Sequence, residues 1–334
     1  MVFPMAGAIR RKWPGARVLF AGKPYVSALV EACEFFDGFI DSQAIVDDPG
    51  TLKRLEADVF LNPFPDDDLA RAAFAARVPI RVGNLFRRSA IYCNRYVAYG
   101  STLKSHVLGF YLLHPRVLGV PIDPLPSGHR ELFGLTRTAA LPEGLGQQLD
   151  AERFNLILHP KSGGSAREWP LQHYLELARS LAGMNTFKLF LTGSAAEREL
   201  VERECPELLS GEWAVDLMGR LTAAELLALV NAADGLLASS TGPLHMAAAL
   251  GRHALGIYPA GHGLDAEAWG PIGPRVRTLQ PPGKCKPGVG ECPRAKGPPC
   301  ACMRTLNPAD VVDRLVMPAF HRSAVAGGGA TLVC

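Results

Sequence analysis

No stretch of this 334-residue chain stays apolar for the roughly 18–20 residues a membrane-spanning helix needs, so no such helix is expected. Charge of one sign is scarce as well. The 35 Lys and Arg stand against 32 Asp and Glu, and a net charge of +3 does not suggest a protein that coats nucleic acid. Internal repeats and low-complexity domains are absent. No strand-like segment is followed by G-x-G-x-x-G, which argues against a nicotinamide-dependent Rossmann enzyme. A secretory leader is not expected either: Arg10, Arg11 and Lys12 follow the apolar residues of Met1–Trp13, whereas a leader puts its charge first. That segment reads as a short amphipathic helix, and a cytoplasmic protein is expected.

What is present is an ordinary globular balance, 48% apolar and 20% charged, in a chain longer than one compact core usually holds. Two domains are therefore expected, 1–145 and 150–320, with a tail at 321–334 containing Gly327–Gly329. In the first, strands at Arg17–Phe20, Val59–Leu61 and Pro79–Val82 alternate with helical spacing at Tyr25–Phe36, up to Leu55, from Asp66 and at Lys104–Leu113. The second repeats the rhythm. Strands are expected at Phe154–Leu158, Phe187–Leu191, Val215–Leu217, Gly235–Ala238 and Ala254–Tyr258, the last one. Helices are expected at Pro170–Leu181 with Pro at its first position, Ala195–Glu204, Thr222–Val230, Pro243–Leu250 and from Asn307-Pro308 to about Met317. Strands alternating with helices point to parallel sheets covered on both faces, and such sheets bind ligands beyond the carboxyl ends of their strands.

Three segments at such ends carry chemistry. Ser239-Ser240-Thr241-Gly242-Pro243-Leu244-His245 joins a strand to a helix. A helix start offers free N–H groups and a positive dipole end to phosphate, Gly242 allows close approach, and Ser240, Thr241 and His245 can donate. A plain capped turn explains this segment equally well. His159-Pro160-Lys161-Ser162-Gly163-Gly164-Ser165-Ala166-Arg167-Glu168-Trp169-Pro170 combines a mobile backbone with hydroxyls and two cations, which suits a diphosphate, although a surface loop would look similar. It lacks the Gly-Lys-Ser/Thr of a Walker loop. In Thr192-Gly193-Ser194-Ala195-Ala196-Glu197 the carboxylate can accept from a ribose, but Ser194 and Glu197 also form a capping box, and spacing alone favours the cap.

Together with Asp216–Leu221 and the Trp269-Gly270-Pro271-x-Gly273 stretch, these segments resemble glycosyltransferase family 9, the ADP-heptose:lipopolysaccharide heptosyltransferases, over about Phe154–Gly273. The resemblance implies an α/β GT-B fold of two Rossmann-like domains facing a cleft, with the donor nucleotide on the C-terminal one. It implies an inverting, metal-independent transfer of heptose or a related sugar from a nucleoside diphosphate, ADP-heptose foremost, with no cofactor. The acceptor would be a lipopolysaccharide core or lipid A precursor at the inner face of the inner membrane, to which the protein would be peripheral. Ser162, Gly163, Ser240 and Pro243 would contact the donor, Glu197 its ribose, Met218 its nucleobase, and Arg167, Thr241, Gly242 and His245 its diphosphate.

The family also begins with a strand and a Gly-Asp pair whose Asp is the general base. By this resemblance both would lie before Met1, so the domain's first strand is expected to be missing. The alternative is then a nucleotide-sugar-binding protein inactive in this form. Asp66-Asp67-Asp68 is better read as a helix start than as a metal motif or a substitute base. Arg81, Arg87, Arg88, Lys104 and His106 make the first half basic, which suits an anionic lipid-sugar acceptor, although solvated surface charge is the commoner explanation. Of the eight cysteines, Cys33, Cys93, Cys205 and Cys334 are scattered and read as thiols. Cys285, Cys292, Cys300 and Cys302 are clustered and are candidates for a structural zinc, although their spacing lacks the usual C-x2–4-C pairs. Free thiols or partial disulfide pairing are the alternatives.

Overall fold

The computed structural model describes residues 1–99, 106–261, 263–283 and 301–320. The chain divides into two compact units, Met1–Arg137 and Thr138–Cys334. Among the described residues, no helix is long and apolar enough to cross a membrane.

Among the described residues the first unit holds five strands in two parallel sheets. β1 (Leu19–Gly22) pairs with β2 (Gly38–Asp41), and β3 (Val59–Leu61) pairs with β4 (Ile80–Asn84), which pairs with β5 (Arg95–Val97). The helix Phe3–Lys12 forms where the sequence places one. Its first turns are buried, and Phe3 meets Phe20 and Phe36 edge-on with centroids 6.0 and 5.1 Å apart. Its basic last turn suits a helix C-terminus, and Arg10 pairs there with Asp37. Asp66 caps the helix Asp67–Ala75 by accepting from the Leu69 N–H at 2.9 Å, as its spacing implies. Three expectations need correction. The segment 25–36 is not one helix but a 3-10 turn, Pro24–Val26, and a short helix, Ser27–Glu31. β2 and β5 are additional strands, each too short to show a periodicity.

The two sheets share a core. Ile45, Leu52, Ala72, Ala73 and Val78 form it, and Ala21 of β1, Ile40 of β2 and Phe60 of β3 all pack against it. Yet among the described residues no hydrogen-bonded pairing joins β1 to β3. The exposure follows: all of β1 is half-buried, and Val59 of β3 is exposed.

Among its described residues the second unit is built on a six-stranded parallel sheet in the order β11-β10-β9-β6-β7-β8. The strands are β6 (Phe154–His159), β7 (Phe187–Leu191), β8 (Val215–Asp216), β9 (Gly235–Ser239), β10 (His253–Ile257) and β11 (Val276–Leu279). β11 is a further strand beyond the last one expected. Its first strand, β6, is central: β7 and β8 extend one way, β9 to β11 the other. In the first unit the β1-β2 pair and the β3-β4-β5 sheet are separate ladders among the described residues.

β6, β9 and β10 are buried at every residue, which is why they are mostly apolar, with Asn155, His159, Ser239 and His253 as buried polar members. Successive side chains serve opposite faces. Leu156, Leu158, Leu189 and Leu191 join one core with Trp169 and Tyr174; Ile157, Phe190 and Leu236 join the other with Leu229 and Tyr258. Pro170 is not the first helical residue but the cap before the helix Leu171–Gly183, with ψ of 138°.

Candidate active site

Because β6 lies between β7 and β9, the three strand ends singled out above are neighbours on one sheet edge. The ladder aligns Leu158 with Leu191 and His159 with Ala238. One residue further on, His159 Nδ1 lies 2.9 Å from the Thr192 hydroxyl. The His159 imidazole is buried, which pushes its pKa below the ordinary value, against the opposing pull of the Glu197 and Glu168 carboxylates.

The loop after β6 is held by two carboxylates. Glu168 Oε1 accepts from the Ser162 N–H at 2.9 Å and from its hydroxyl at 2.8 Å, while Glu168 Oε2 lies 2.6 Å from Lys161 Nζ. Glu197 Oε1 accepts from the Gly163 N–H at 2.7 Å. The loop reaches these partners by turning through Gly163 and Gly164, with φ of 55° and 76°, a region that suits glycine. The donors of Ser162 and Gly163 thus point to Glu168 and Glu197. Lys161 is an ion-paired, largely buried cation rather than a free one. Arg167 is buried at 7% exposure. Glu168 is a site residue that sequence reading missed; its one visible signal was an acidic side chain between Arg167 and a buried Trp169.

Glu197 has two roles. Its Oε2 accepts from the Ser194 N–H at 2.8 Å and hydroxyl at 3.0 Å, completing the capping box of the helix Ala195–Glu204, while Oε1 tethers the neighbouring loop. The Met218 side chain is wholly buried among core residues, and its methyl would come within 2.5 Å of a Cβ placed on Gly193.

The loop after β9 differs from the other two. Thr241 stands at the cap position of the helix Gly242–Ala249 but makes no side-chain cap. Its hydroxyl is buried with no hydrogen-bond partner, as is that of Ser239. By contrast, the helices Ala195–Glu204 and Ala223–Ala232 both carry complete capping boxes. Gly242 is exposed, with open space where a Cβ would stand. Ser240, Pro243 and His245 are half-buried around it. The result is a helix start with N–H groups not taken by its own cap, beside a buried hydroxyl.

The Trp269-Gly270-Pro271-x-Gly273 stretch packs against this helix. A Cβ on Gly273 would lie 2.5 Å from the Ala248 carbonyl oxygen, so its glycine is required by close backbone packing. Trp269 Nε1–H donates to the Gly263 carbonyl at 2.8 Å, and the Tyr258 hydroxyl donates to the Trp269 carbonyl at 3.0 Å. Among the described residues no group of three His, Cys, Asp or Glu side chains could hold a metal ion. Cys285, Cys292, Cys300, Lys104 and the tail lie outside the described residues; Cys302 is half-buried against the core.

Residues 110–296, more than half the chain, match the profile of Glycosyltransferase family 9 (heptosyltransferase). The lipopolysaccharide core heptosyltransferase OpsX of Haemophilus influenzae is 29% identical over 112 residues, 34% of this chain and 32% of that protein. Lipopolysaccharide heptosyltransferase 2 of Salmonella typhimurium is 31% identical over 97 residues, 28% of each. The chain therefore matches about a third or less of the length of these two relatives. The structure of Escherichia coli ADP-heptose lps heptosyltransferase II superposes with a TM-score of 0.71 at 17% identity, covering 97% of this chain and 95% of that one. That likeness shows the fold, the GT-B class expected from the motifs. On the family match and its fold, the chain is a member of glycosyltransferase family 9.

Proposed function

We propose that the protein is an inverting glycosyltransferase that moves heptose, or a related sugar, from ADP-heptose to a hydroxyl of a lipopolysaccharide core precursor. The observation that carries the reading is the start of the helix Gly242–Ala249: no side-chain cap, open space over Gly242, and the buried Thr241 hydroxyl without a partner. A diphosphate would accept from that hydroxyl and from the helix-start N–H groups, and the dipole favours its charge. As the acceptor oxygen bonds to the anomeric carbon, the bond from that carbon to the diphosphate breaks, the electron pair leaving with the diphosphate and the hydroxyl's proton passing to solvent. Arg167 and the helix start would stabilise the charge that develops on the leaving oxygen. Ser162 and Gly163 would shape the site through Glu168 and Glu197, and Glu197 would also lie within reach of the ribose. The neutral His159 beneath the loops would position them without adding charge.

The choice of adenine and heptose follows the names of the relatives, and a membrane-bound acceptor makes the protein peripheral to that surface. Isothermal titration with ADP and UDP tests the reading. ADP is expected to bind, and Arg167→Ala to weaken it about tenfold or more, the loss of one charge-assisted contact. Binding of neither nucleotide, or binding unchanged in Arg167→Ala, would overturn it.

A further inference from the structure

The loop after β8 lies at the rim of the second unit's sheet, and most of what it could offer a ligand is already engaged. Asp216 ends β8. Its Oδ1 accepts from the Met218 N–H at 3.0 Å. Its Oδ2 pairs with Arg198 of the helix Ala195–Glu204 and lies 3.5 Å from Arg220 Nη2. The Gly219 N–H donates to the Gly193 carbonyl at 2.8 Å, which stitches this loop to the one after β7. Gly219 turns with φ of 72°, and a Cβ there would come within 3.0 Å of the Ala195 Cα. The Met218 side chain is wholly buried in the core.

A ligand resting on this loop therefore meets neither the Met218 side chain nor the amides of Met218 and Gly219. What the loop turns outward is the Gly219 backbone and Arg220, whose side chain is 62% exposed. Asp216, four residues back and itself paired with Arg198, gives the Arg220 guanidinium a pivot while leaving it largely uncovered.

The strand order says what would lie against it. From β9 through β6 and β7 to β8 is three strand spacings, ~14 Å. A nucleoside diphosphate with its phosphates at the Thr241–Gly242 helix start and its ribose near Glu197, after β7, extends along that line. Its base then reaches the loop after β8. A guanidinium plane stacks on the flat face of a base. The two fused rings of a purine offer that plane more surface than the single ring of a pyrimidine.

We propose that Arg220 is a specificity-determining residue that stacks on the donor's nucleobase and favours a purine over a pyrimidine. This rests on the donor reading and adds to it the side chain that selects the base.

The test is isothermal titration of the full chain with ADP and with UDP, in the parent, Arg220→Ala and Arg220→Lys. Arg220 is exposed, so neither variant disturbs the core. The parent is expected to favour ADP. Arg220→Ala should weaken ADP about fivefold and UDP by less, so that the preference shrinks. Arg220→Lys keeps the charge but not the plane, and should lose the preference as Arg220→Ala does. A parent that binds neither nucleotide overturns the donor reading, and the role of Arg220 falls with it. A parent that binds ADP leaves the donor reading standing. The role of Arg220 alone is then overturned by a parent without preference for ADP, or by unchanged ADP affinity in Arg220→Ala. Equal loss of both nucleotides in Arg220→Ala overturns it too, since that marks a general cation. So does the parental preference persisting in Arg220→Lys, since charge without a plane would then suffice.

Discussion

Glu197 offers the sharpest test of how the donor loops are held. Its carboxylate serves Ser194 within its own helix and Gly163 in the next loop, so the two contributions can be separated by substitution. Ser194→Ala removes the capping hydroxyl and should cost about 1 kcal/mol. Glu197→Ala removes the box and the tether together. A backbone N–H to a carboxylate contributes about 1.5–3 kcal/mol net, and Glu197 is only 9% exposed, so little of that is recovered from water. The expected total is about 2–4 kcal/mol. A chain of two units need not unfold in one step, so local hydrogen exchange is the better assay. In Glu197→Ala the Gly163 amide should exchange about 10- to 100-fold faster than in the parent, whereas in Ser194→Ala it should stay within about threefold. Equal protection of Gly163 in both variants, or parental protection in Glu197→Ala, would refute the tether.

Two further outcomes follow from other contacts. Asp37 accepts from the Val18 N–H and pairs with Arg10; burial tends to raise its pKa, but the Arg10 hydrogen bond and charge outweigh that and hold it below the usual carboxylate value of 3.8. A depressed folded pKa gives stability that is present above the unfolded value and lost as pH falls through the folded one. Asp37→Asn should therefore melt below the parent at neutral pH, with the gap closing under acid, and a gap constant with pH would contradict the pairing. Trp169 Nε1–H donates to the Leu306 carbonyl at 2.9 Å across a fully buried contact, tying the segment 301–320 to the core. Trp169→Phe should cost about 1 kcal/mol, the net contribution of one buried hydrogen bond, since the His173 imidazole also hydrogen-bonds the Leu306 backbone. It should also speed proteolytic release of that segment, and unchanged release would mean that other contacts hold it.

Much of the second unit was legible because its physics is local or one-dimensional. β6, β7 and β9 are mostly apolar because both faces of the sheet are largely covered, and the caps at Ser194 and Thr222 need only residues three apart. β2, β5 and β11 were not legible. Gly-Phe-Ile-Asp, Arg-Tyr-Val and Val-Arg-Thr-Leu are too short for a period, and pairing with a neighbour makes them strands. Among site residues, the helix start at Thr241 and Gly242 stood out in the chain, but that Thr241 leaves its hydroxyl unbonded is a fact of three dimensions. Glu168 was invisible because its partners are reached only once Gly163 and Gly164 have turned the loop. Glu197 looked like a choice between cap and ligand, and the fold gives each carboxylate oxygen its own task.

The divided sheet of the first unit has a mechanical meaning. In the second unit any relative slide of two strands breaks hydrogen bonds along a continuous ladder. In the first, among the described residues, no ladder joins the β1–β2 pair to the β3–β5 sheet, and side chains such as Ala21, Ile40 and Phe60 pack on a common core. Side-chain packing without a ladder between strands resists separation but yields to shear. That unit therefore contains a seam, a line along which its two halves can shift by small amounts without rupturing any bonded pair.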